Sequence, residues 1–417
     1  MAAARSLLFL RRSSLAAAAA VGETSGTTAL SSLRGAEAFA FSRLFSSDAV
    51  KSTETLDESS SAAAANWTES ASRDDLRSRI FRLRLPKRSA TVVIDKWVRE
   101  GNRVEVSQLR DISSELRKLG RYKHALEISE WMVSHYEFKL ADSDYANRID
   151  LMMRVFGIDA AERYFEGLPA SAKSNDSYTA LLHSYAGAKL VDKAEELYER
   201  IKESGLPFKA ITYNEMMTLY ISMGQVEKVS SVVDDMKRQK IAPDLYSYNL
   251  WISSLAAGLD VGGIQSILNE MIQDPSCDED WRRYIDLVSI YIASGQLENL
   301  GADPDAESEL GVSQRQWISY DFLVMLHAGL GNKDKVDLVW KALQMTRQKI
   351  VGRSYICILS SYLILGHMKE AGEVIDKWKQ STSSVLDKAS CDRLVGAFAE
   401  AGFGEKSEAL VTVLKQK

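Results

Sequence analysis

The chain has 417 residues, of which 46% are hydrophobic and 26% are charged, and its formal net charge is −5. This length exceeds the needs of one small core, and this composition excludes a chain that is disordered throughout. Only 6 prolines and 24 glycines are present, which favours long helical regions over many turns. No apolar run reaches the roughly 18 residues that a membrane span requires.

The first 45 residues form a basic leader that is rich in Ala, Ser and Leu. It contains two acidic residues against five basic ones: Arg5, Arg11, Arg12, Arg34 and Arg43. This composition is typical of an organelle transit peptide, and we expect it to be cut after Phe45. We expect mitochondria as the destination, with chloroplasts as the second choice. Residues 46–74 are polar and low in complexity, so they are predicted to be a disordered linker.

Removal of the leader makes the protein more acidic. Taking its five basic and two acidic residues from the totals of 52 and 57 leaves 47 and 55, a net charge of −8. This balance weighs against a broad basic surface for nucleic acid, although it is compatible with a narrow basic groove.

Fainter repeat units precede the clear ones. Residues 109–132 and 145–169 each show a helix, a glycine and a second helix, and residues 92–104 match half of such a unit. With the later units they predict about nine helical hairpins over residues 75–417.

A tyrosine returns at a spacing of 35 or 36 residues through the second half of the chain, and a cysteine takes its place at the last position. The seven positions are Tyr178, Tyr213, Tyr248, Tyr284, Tyr320, Tyr355 and Cys391. A glycine follows eleven residues later in five of these units, at Gly224, Gly295, Gly331, Gly366 and Gly402. Seven units in register identify an internal repeat.

The unit that begins at Ile211 shows what is repeated. Its apolar residues up to Met223 lie on one face of a helix, which Gly224 ends because glycine accepts the left-handed conformation of a helix C-terminus. A second amphipathic helix follows and ends before Pro243. Neither helix can bury its apolar face alone, so stacked hairpins are predicted to form an all-α solenoid with a concave groove.

One unit departs from this pattern. Gly301 and Pro304 fall inside its predicted second helix. Because proline costs roughly 3 kcal/mol in a helix interior, we expect a late or broken helix there.

The period, the "TYN" opening, the glycine after the first helix and the "PD" ending together resemble the pentatricopeptide repeat. Tetratricopeptide units carry small residues where their helices cross, whereas this chain has Met217 and Met236 there. The resemblance is clearest over residues 175–280. It implies a right-handed superhelix and the plain (P-type) subgroup of plant organelles.

The resemblance also implies that the groove binds single-stranded RNA, with one base per repeat. In this family the residue after the tyrosine and the closing residue of the unit read the base. The implied pairs are Asn214 with Asp244 and Asn249 with Asp280, and they favour uracil. Glu279 is an alternative to Asp280. Thr179 is a further implied reading residue, although its partner would be Lys209.

The residues themselves allow a simpler interpretation. In this interpretation Asn214 and Asn249 are expected to be ordinary polar residues, exposed on the groove wall, and Tyr213 and Tyr248 are expected to pack rather than to stack on bases. The later units place Ile285, Asp321, Ile356 and Asp392 after the tyrosine position, where they form no usual pairs.

Two functions therefore remain open. The first is an organellar RNA-binding adaptor that supports RNA stability, processing or translation. The alternative is a protein-interaction scaffold of a mitochondrial complex such as the ribosome. The three cysteines and five histidines show no metal-ligand spacing, and no phosphate loop or catalytic constellation is present, so we expect no enzyme activity, metal or cofactor.

Overall fold

The computed structural model describes residues 75–83, 88–135, 139–295, 297, 310–345, 350–381 and 388–416. The predicted leader, the predicted linker and the predicted break at Gly301 and Pro304 lie outside these residues, so they stay predictions. Within the described ranges every regular element is helical, and none of these helices is long and apolar enough to cross a membrane.

Nineteen α-helices make up the described part of the chain. The first ten are α1 (Leu76–Phe81), α2 (Ala90–Arg99), α3 (Val106–Lys118), α4 (Tyr122–Ser134), α5 (Asp142–Phe156), α6 (Ile158–Glu166), α7 (Asn175–Gly187), α8 (Val191–Glu203), α9 (Ala210–Ser222) and α10 (Glu227–Arg238). The others are α11 (Leu245–Ala257), α12 (Val261–Gln273), α13 (Glu279–Ala293), α14 (Leu310–Gly329), α15 (Lys333–Met345), α16 (Gly352–Ile364), α17 (Met368–Gln380), α18 (Lys388–Glu400) and α19 (Gly404–Gln416).

The helices pair in chain order. Nine consecutive pairs pack as hairpins in the described residues, from α1 with α2 to α11 with α12 and from α14 with α15 to α18 with α19. The predicted all-α solenoid of about nine hairpins is thus confirmed. Helix α13 stands between two hairpins and has no second helix among the described residues.

The turn after the first helix has the predicted left-handed residue in most of the described hairpins. Gly224 has a φ of 73°, and the N–H of Gln225 donates to the carbonyl of Tyr220 at 2.9 Å. In two units a residue with a side chain takes this left-handed position: Lys189 has a φ of 58° and Leu259 has a φ of 61°. The turn is therefore the same even where glycine is absent.

The first helices of the hairpins form the inner layer of the solenoid. From α5 onward they pack on one another in the order α5, α7, α9, α11, α14 and α16. The second helices α6 to α19 make no comparable contacts with each other among the described residues. Because the inner side of a curved stack is the crowded side, the first helices line the concave face.

Burial is accordingly different in the two layers. Residues 212–221 of α9 are all buried, including the polar ones, whereas α10 buries only one apolar face. In α9 the packing is so close that polar side chains such as Thr212 and Glu215 contact side chains of neighbouring first helices rather than solvent.

The stack has one irregularity. Helix α11 packs directly on α14, while α13 packs on α14, α16 and α18. The seven units are in register in the sequence, but α13 does not take a place between α11 and α14 in the stack. The break predicted at Gly301 and Pro304 follows α13 in the sequence and lies outside the described residues.

Candidate nucleic-acid interface

A row of polar contacts joins neighbouring first helices. The same contact occurs in three units. A residue at position N-cap + 5 of one first helix contacts the residue at position N-cap + 3 of the next first helix. The pairs are Arg110 with Asp144 (2.6 Å between Nη2 and Oδ2), Thr179 with Thr212 (2.9 Å between hydroxyls) and Asn214 with Ser247 (2.7 Å between Oδ1 and the hydroxyl). The repeat period therefore places each of these side chains against the next unit.

Asn214 and Asp244 are brought together as the resemblance implies. Asn214 Nδ2 donates to Asp244 Oδ1 at 3.3 Å. Asp244 is the N-cap of α11, and its Oδ1 also accepts the amide of Ser247 at 2.7 Å. Asp244 is exposed, so the carboxylate that orients the asparagine lies at the surface.

The expected exposure of Asn214 is wrong, because its side chain is only 3% exposed. The close packing of α9 on α11 encloses the amide between the two helices. The hydroxyl of Ser247 donates to its Oδ1. Asp244 and Ser247 together use one amide proton and one oxygen lone pair of Asn214. The second proton and the second lone pair are left to hydrogen-bond a base.

Asn249 has a different environment. Its side chain is fully buried, its Oδ1 accepts a hydrogen bond from the hydroxyl of Tyr284 at 3.1 Å, and its Nδ2 has no partner. The expected exposure is wrong here too, because α13 brings Tyr284 over this position. Since Nδ2 is without a partner, Asp280 does not orient this amide.

Asp280 lies near the start of α13, where it pairs with Arg283. The alternative residue, Glu279, is exposed and pairs with the same arginine at 3.2 Å. The N-cap that corresponds to Asp244 is Asp278, which accepts the amide of Trp281 at 3.0 Å. Helix α13 begins two residues earlier than the tyrosine register implies, so counting from the tyrosine misses this cap.

Thr179 and Lys209 do not form a pair. Thr179 is buried against Thr212, and the ammonium group of Lys209 lies 2.6 Å from the carboxylate of Asp176.

The repeat tyrosines pack, as predicted for Tyr213 and Tyr248. Both are 1% exposed. The ring centroid of Tyr213 lies 5.1 Å from that of Phe208, and Tyr248 meets Trp281 edge to face at 5.4 Å. Burial raises the pKa of Tyr213 to about 12, so its phenol stays neutral.

The residues after the tyrosine position in the later units have different environments. Ile285 and Ile356 are buried, and Asp392 is exposed. Asp321 is buried and accepts from the hydroxyl of Tyr291 at 3.0 Å. Among the described residues, no cluster of His, Cys, Asp or Glu could hold a metal ion.

Two sets of contacts at this site were not predicted from the sequence. The contacts of Ser247 are one set, and the Asp-x-x-Ser spacing of a capping box was the signal for them. The contacts of Tyr284 with Asn249 and of Tyr291 with Asp321 are the other set. The repeat pattern marks Tyr284 but not its contact, and no local signal marks Tyr291, because the partners lie in other units.

Comparison with known proteins agrees with this architecture. A family model described as PPR repeat matches residues 176–206, and one described as PPR repeat family matches residues 209–257. The Arabidopsis thaliana pentatricopeptide repeat-containing protein At5g09450, mitochondrial, is 52% identical over 371 residues, which cover 89% of this chain and 88% of the relative. A second Arabidopsis relative, At2g20710, mitochondrial, is 30% identical over 344 residues, covering 82% of this chain and 70% of the relative. The chain belongs to the pentatricopeptide repeat family.

This chain is similar to a solved structure: the crystal structure of the pentatricopeptide repeat protein PPR10 in complex with an 18-nt psaJ RNA element. The identity is 18% and the TM-score is 0.38, with 78% of this chain and 47% of that chain covered. This chain thus spans about half the length of that protein.

Proposed function

We propose that this protein is an RNA-binding adaptor of mitochondria that holds single-stranded RNA along its first helices. In that role it supports the stability, processing or translation of an organellar RNA. The observation that carries the proposal is the contact between Asn214 and Asp244. An amide offers one acceptor and two donors, so it can match the edge of a base, and a carboxylate that holds one amide proton fixes its orientation.

Family membership supports the same function, since pentatricopeptide repeats read one base per helical unit. The family's plain subgroup fits the uniform period of this chain. The relatives that carry the word mitochondrial in their names support the interpretation of the first 45 residues as a mitochondrial leader.

Base reading at Asn214 requires one change in the free protein. The hydroxyl of Ser247 lies where a base donor would meet Asn214 Oδ1. The N3–H group of uracil can replace this hydroxyl, while the second proton of Asn214 Nδ2 reaches a uracil carbonyl and Asp244 keeps the first. Thr179 lies one unit upstream in the same row and belongs to the same RNA path.

Filter binding of short RNAs to Asn214→Ala tests the proposal. RNAs with uracil at one central place should bind more weakly by about 1–3 kcal/mol, whereas RNAs with another base there should be unaffected. Ser247→Ala is the matched control, because it removes the same internal hydrogen bond but keeps the amide. We expect it to bind RNA as well as the unchanged chain or better.

If Asn214→Ala binds every RNA as tightly as the unchanged chain does and keeps the same preference among bases, base reading at this position is contradicted. Each measurement is made at two salt concentrations, since backbone contacts weaken with salt. A chain that retains no RNA even at low salt would instead be a protein-interaction scaffold, for instance on the mitochondrial ribosome.

A further inference from the structure

We propose that helix α13 fills the groove of the C-terminal units, so that single-stranded RNA binds only along the first helices that precede it. This proposal rests on the RNA-binding function above. According to the proposal, the ligand is a short single strand. Farther along the groove, α13 occupies the space in which RNA would otherwise bind.

The position of α13 is the first argument. It packs on the first helices α14, α16 and α18, and it makes no comparable contact with the second helices α15, α17 and α19 among the described residues. The start of α13 lies beside Gly329 at the end of α14, while Tyr291 near its own end reaches Asp321 in the middle of α14. Helix α13 therefore lies antiparallel to α14 on the concave side of the inner layer.

Two tyrosines of α13 contact reading positions. Asn249 and Asp321 each follow a repeat tyrosine, as Asn214 does. The hydroxyl of Tyr284 donates to Asn249 Oδ1 at 3.1 Å, and that of Tyr291 donates to Asp321 Oδ2 at 3.0 Å. These phenols take the hydrogen-bonding place that a base edge would need, so neither position is open to RNA.

The docking of α13 is tight. Seven of its side chains are buried: Trp281, Tyr284, Ile285, Leu287, Val288, Ile290 and Tyr291. A Cβ atom at Gly329 would lie 2.8 Å from the Cβ of Tyr284 and 3.2 Å from the carbonyl oxygen of Asp280. Arg283 Nε donates to the carbonyl of Gly329 at 2.9 Å. Because leaving the groove would expose this apolar face to water, α13 stays in place when RNA binds.

The proposal sets the length of the ligand. Among the first helices that precede α13, Tyr284 covers the reading position of α11, which leaves α3, α5, α7 and α9 after the six-residue helix α1. At one base per unit they accommodate about four nucleotides, against about eight for a groove that is open along its whole length. Asn249 and Asp280, the second pair that the family resemblance implies, lie beyond the end of this path.

A length series tests the limit directly. The affinity of the full chain for oligouridylates from about 4 to about 12 nucleotides is measured by fluorescence anisotropy. We expect the affinity to stop rising at about 5 or 6 nucleotides. RNA with 4-thiouridine should crosslink to α3 through α9 and not to α14 or α16. Affinity that keeps rising with length, together with crosslinks on α14 or α16, would overturn the limit while RNA binding itself stood.

Hydrogen exchange tests the place of α13 without RNA. The amides of α13 should exchange as slowly as those of α9. Gly329→Ala should speed the exchange of α13 by about tenfold or more, because the new methyl group meets Tyr284. Gly396→Ala is the matched control, since this glycine is also helical and a Cβ there meets nothing within 4 Å. Fast exchange of α13 in the unchanged chain would overturn the proposal.

The two experiments distinguish a failure of the proposed RNA-binding function from a failure of the proposed position of α13. A chain that binds no RNA of any length overturns the RNA function and this limit with it, yet slow exchange would still place α13 in the groove. A chain that binds long RNA while α13 exchanges fast overturns this proposal alone.

Discussion

Arg353 and Asp321 form an ion pair inside the inner layer, with 3.2 Å between Nε and Oδ2 and side-chain exposures of 4% and 1%. Burial raises the pKa of Asp321, and the Arg353 guanidinium opposes this rise. The hydroxyl of Tyr291 also donates to Asp321. Arg353 of α16 and Tyr291 of α13 thus offset the free-energy cost of burying the Asp321 carboxylate.

Replacing Arg353 should destabilise the chain strongly. Arg353→Met leaves the buried carboxylate of Asp321 without its cation, so the free energy of unfolding should fall by about 3–5 kcal/mol. Urea unfolding followed by circular dichroism measures the change. Lys237→Met is the control, because Lys237 and Glu270 form an exposed pair 2.9 Å apart and its loss should cost less than about 1 kcal/mol. Similar losses for both variants would show that Asp321 is not charged in the fold.

His327 should make the fold sensitive to acid. Burial lowers its pKa from 6.5 to about 4. The unfolded chain therefore binds this proton at a pH where the folded chain does not, and stability should fall as the pH drops from 6.5 towards 4, by about 3 kcal/mol in all. Unfolding experiments across this range measure the slope. In His327→Leu the slope should be smaller, and an unchanged slope would place the titration elsewhere.

Tyr213 should contribute to stability and not directly to RNA binding. Tyr213→Ala removes a buried ring, so the free energy of unfolding should fall by about 3–5 kcal/mol. Phe156→Ala is the control, because Phe156 is 63% exposed and its change should stay within about 0.5 kcal/mol. RNA retention should follow the folded fraction. A Tyr213→Ala protein that is folded but has lost RNA binding would make Tyr213 a base-stacking residue.

The leader should direct import into mitochondria. Residues 1–60 fused to a fluorescent protein are expected in mitochondria, since an arginine-rich, acid-poor leader is typical of import. Replacing Arg5, Arg11 and Arg12 with glutamate should leave the fusion in the cytosol. Microscopy distinguishes the two places, and import that survives the replacement would count against this role of the leader.

The sequence predicted those parts of the structure that depend on neighbours along the chain. The tyrosine spacing predicted the hairpin register, and the glycines predicted the turns. The pair of Asn214 with Asp244, which the family resemblance implies, is in contact. All of these lie within one unit or between two successive units, so a fixed period is enough to locate them.

What could not be predicted depends on distances across the fold. The burial of Asn214 follows from how closely α9 packs on α11, which the period alone does not specify. The docking of α13 depends on Gly329, a glycine that lies 45 residues after Tyr284 and has no place in the repeat pattern. An amphipathic pattern marks the face that a helix will bury but not the partner that will cover it.

The place of α13 also governs how the solenoid should come apart. In a simple stack each unit contacts only its neighbours, so unfolding can begin at one end and proceed unit by unit. Helix α13 contacts three first helices at once and therefore joins α13, α14, α16 and α18 into a single cooperative block. Among the described residues before α11, no helix packs on three first helices in this way. Heating should therefore fray the chain gradually from its N-terminal units, while the C-terminal block melts in one sharp step, and its long-range contacts should make that block the last to fold.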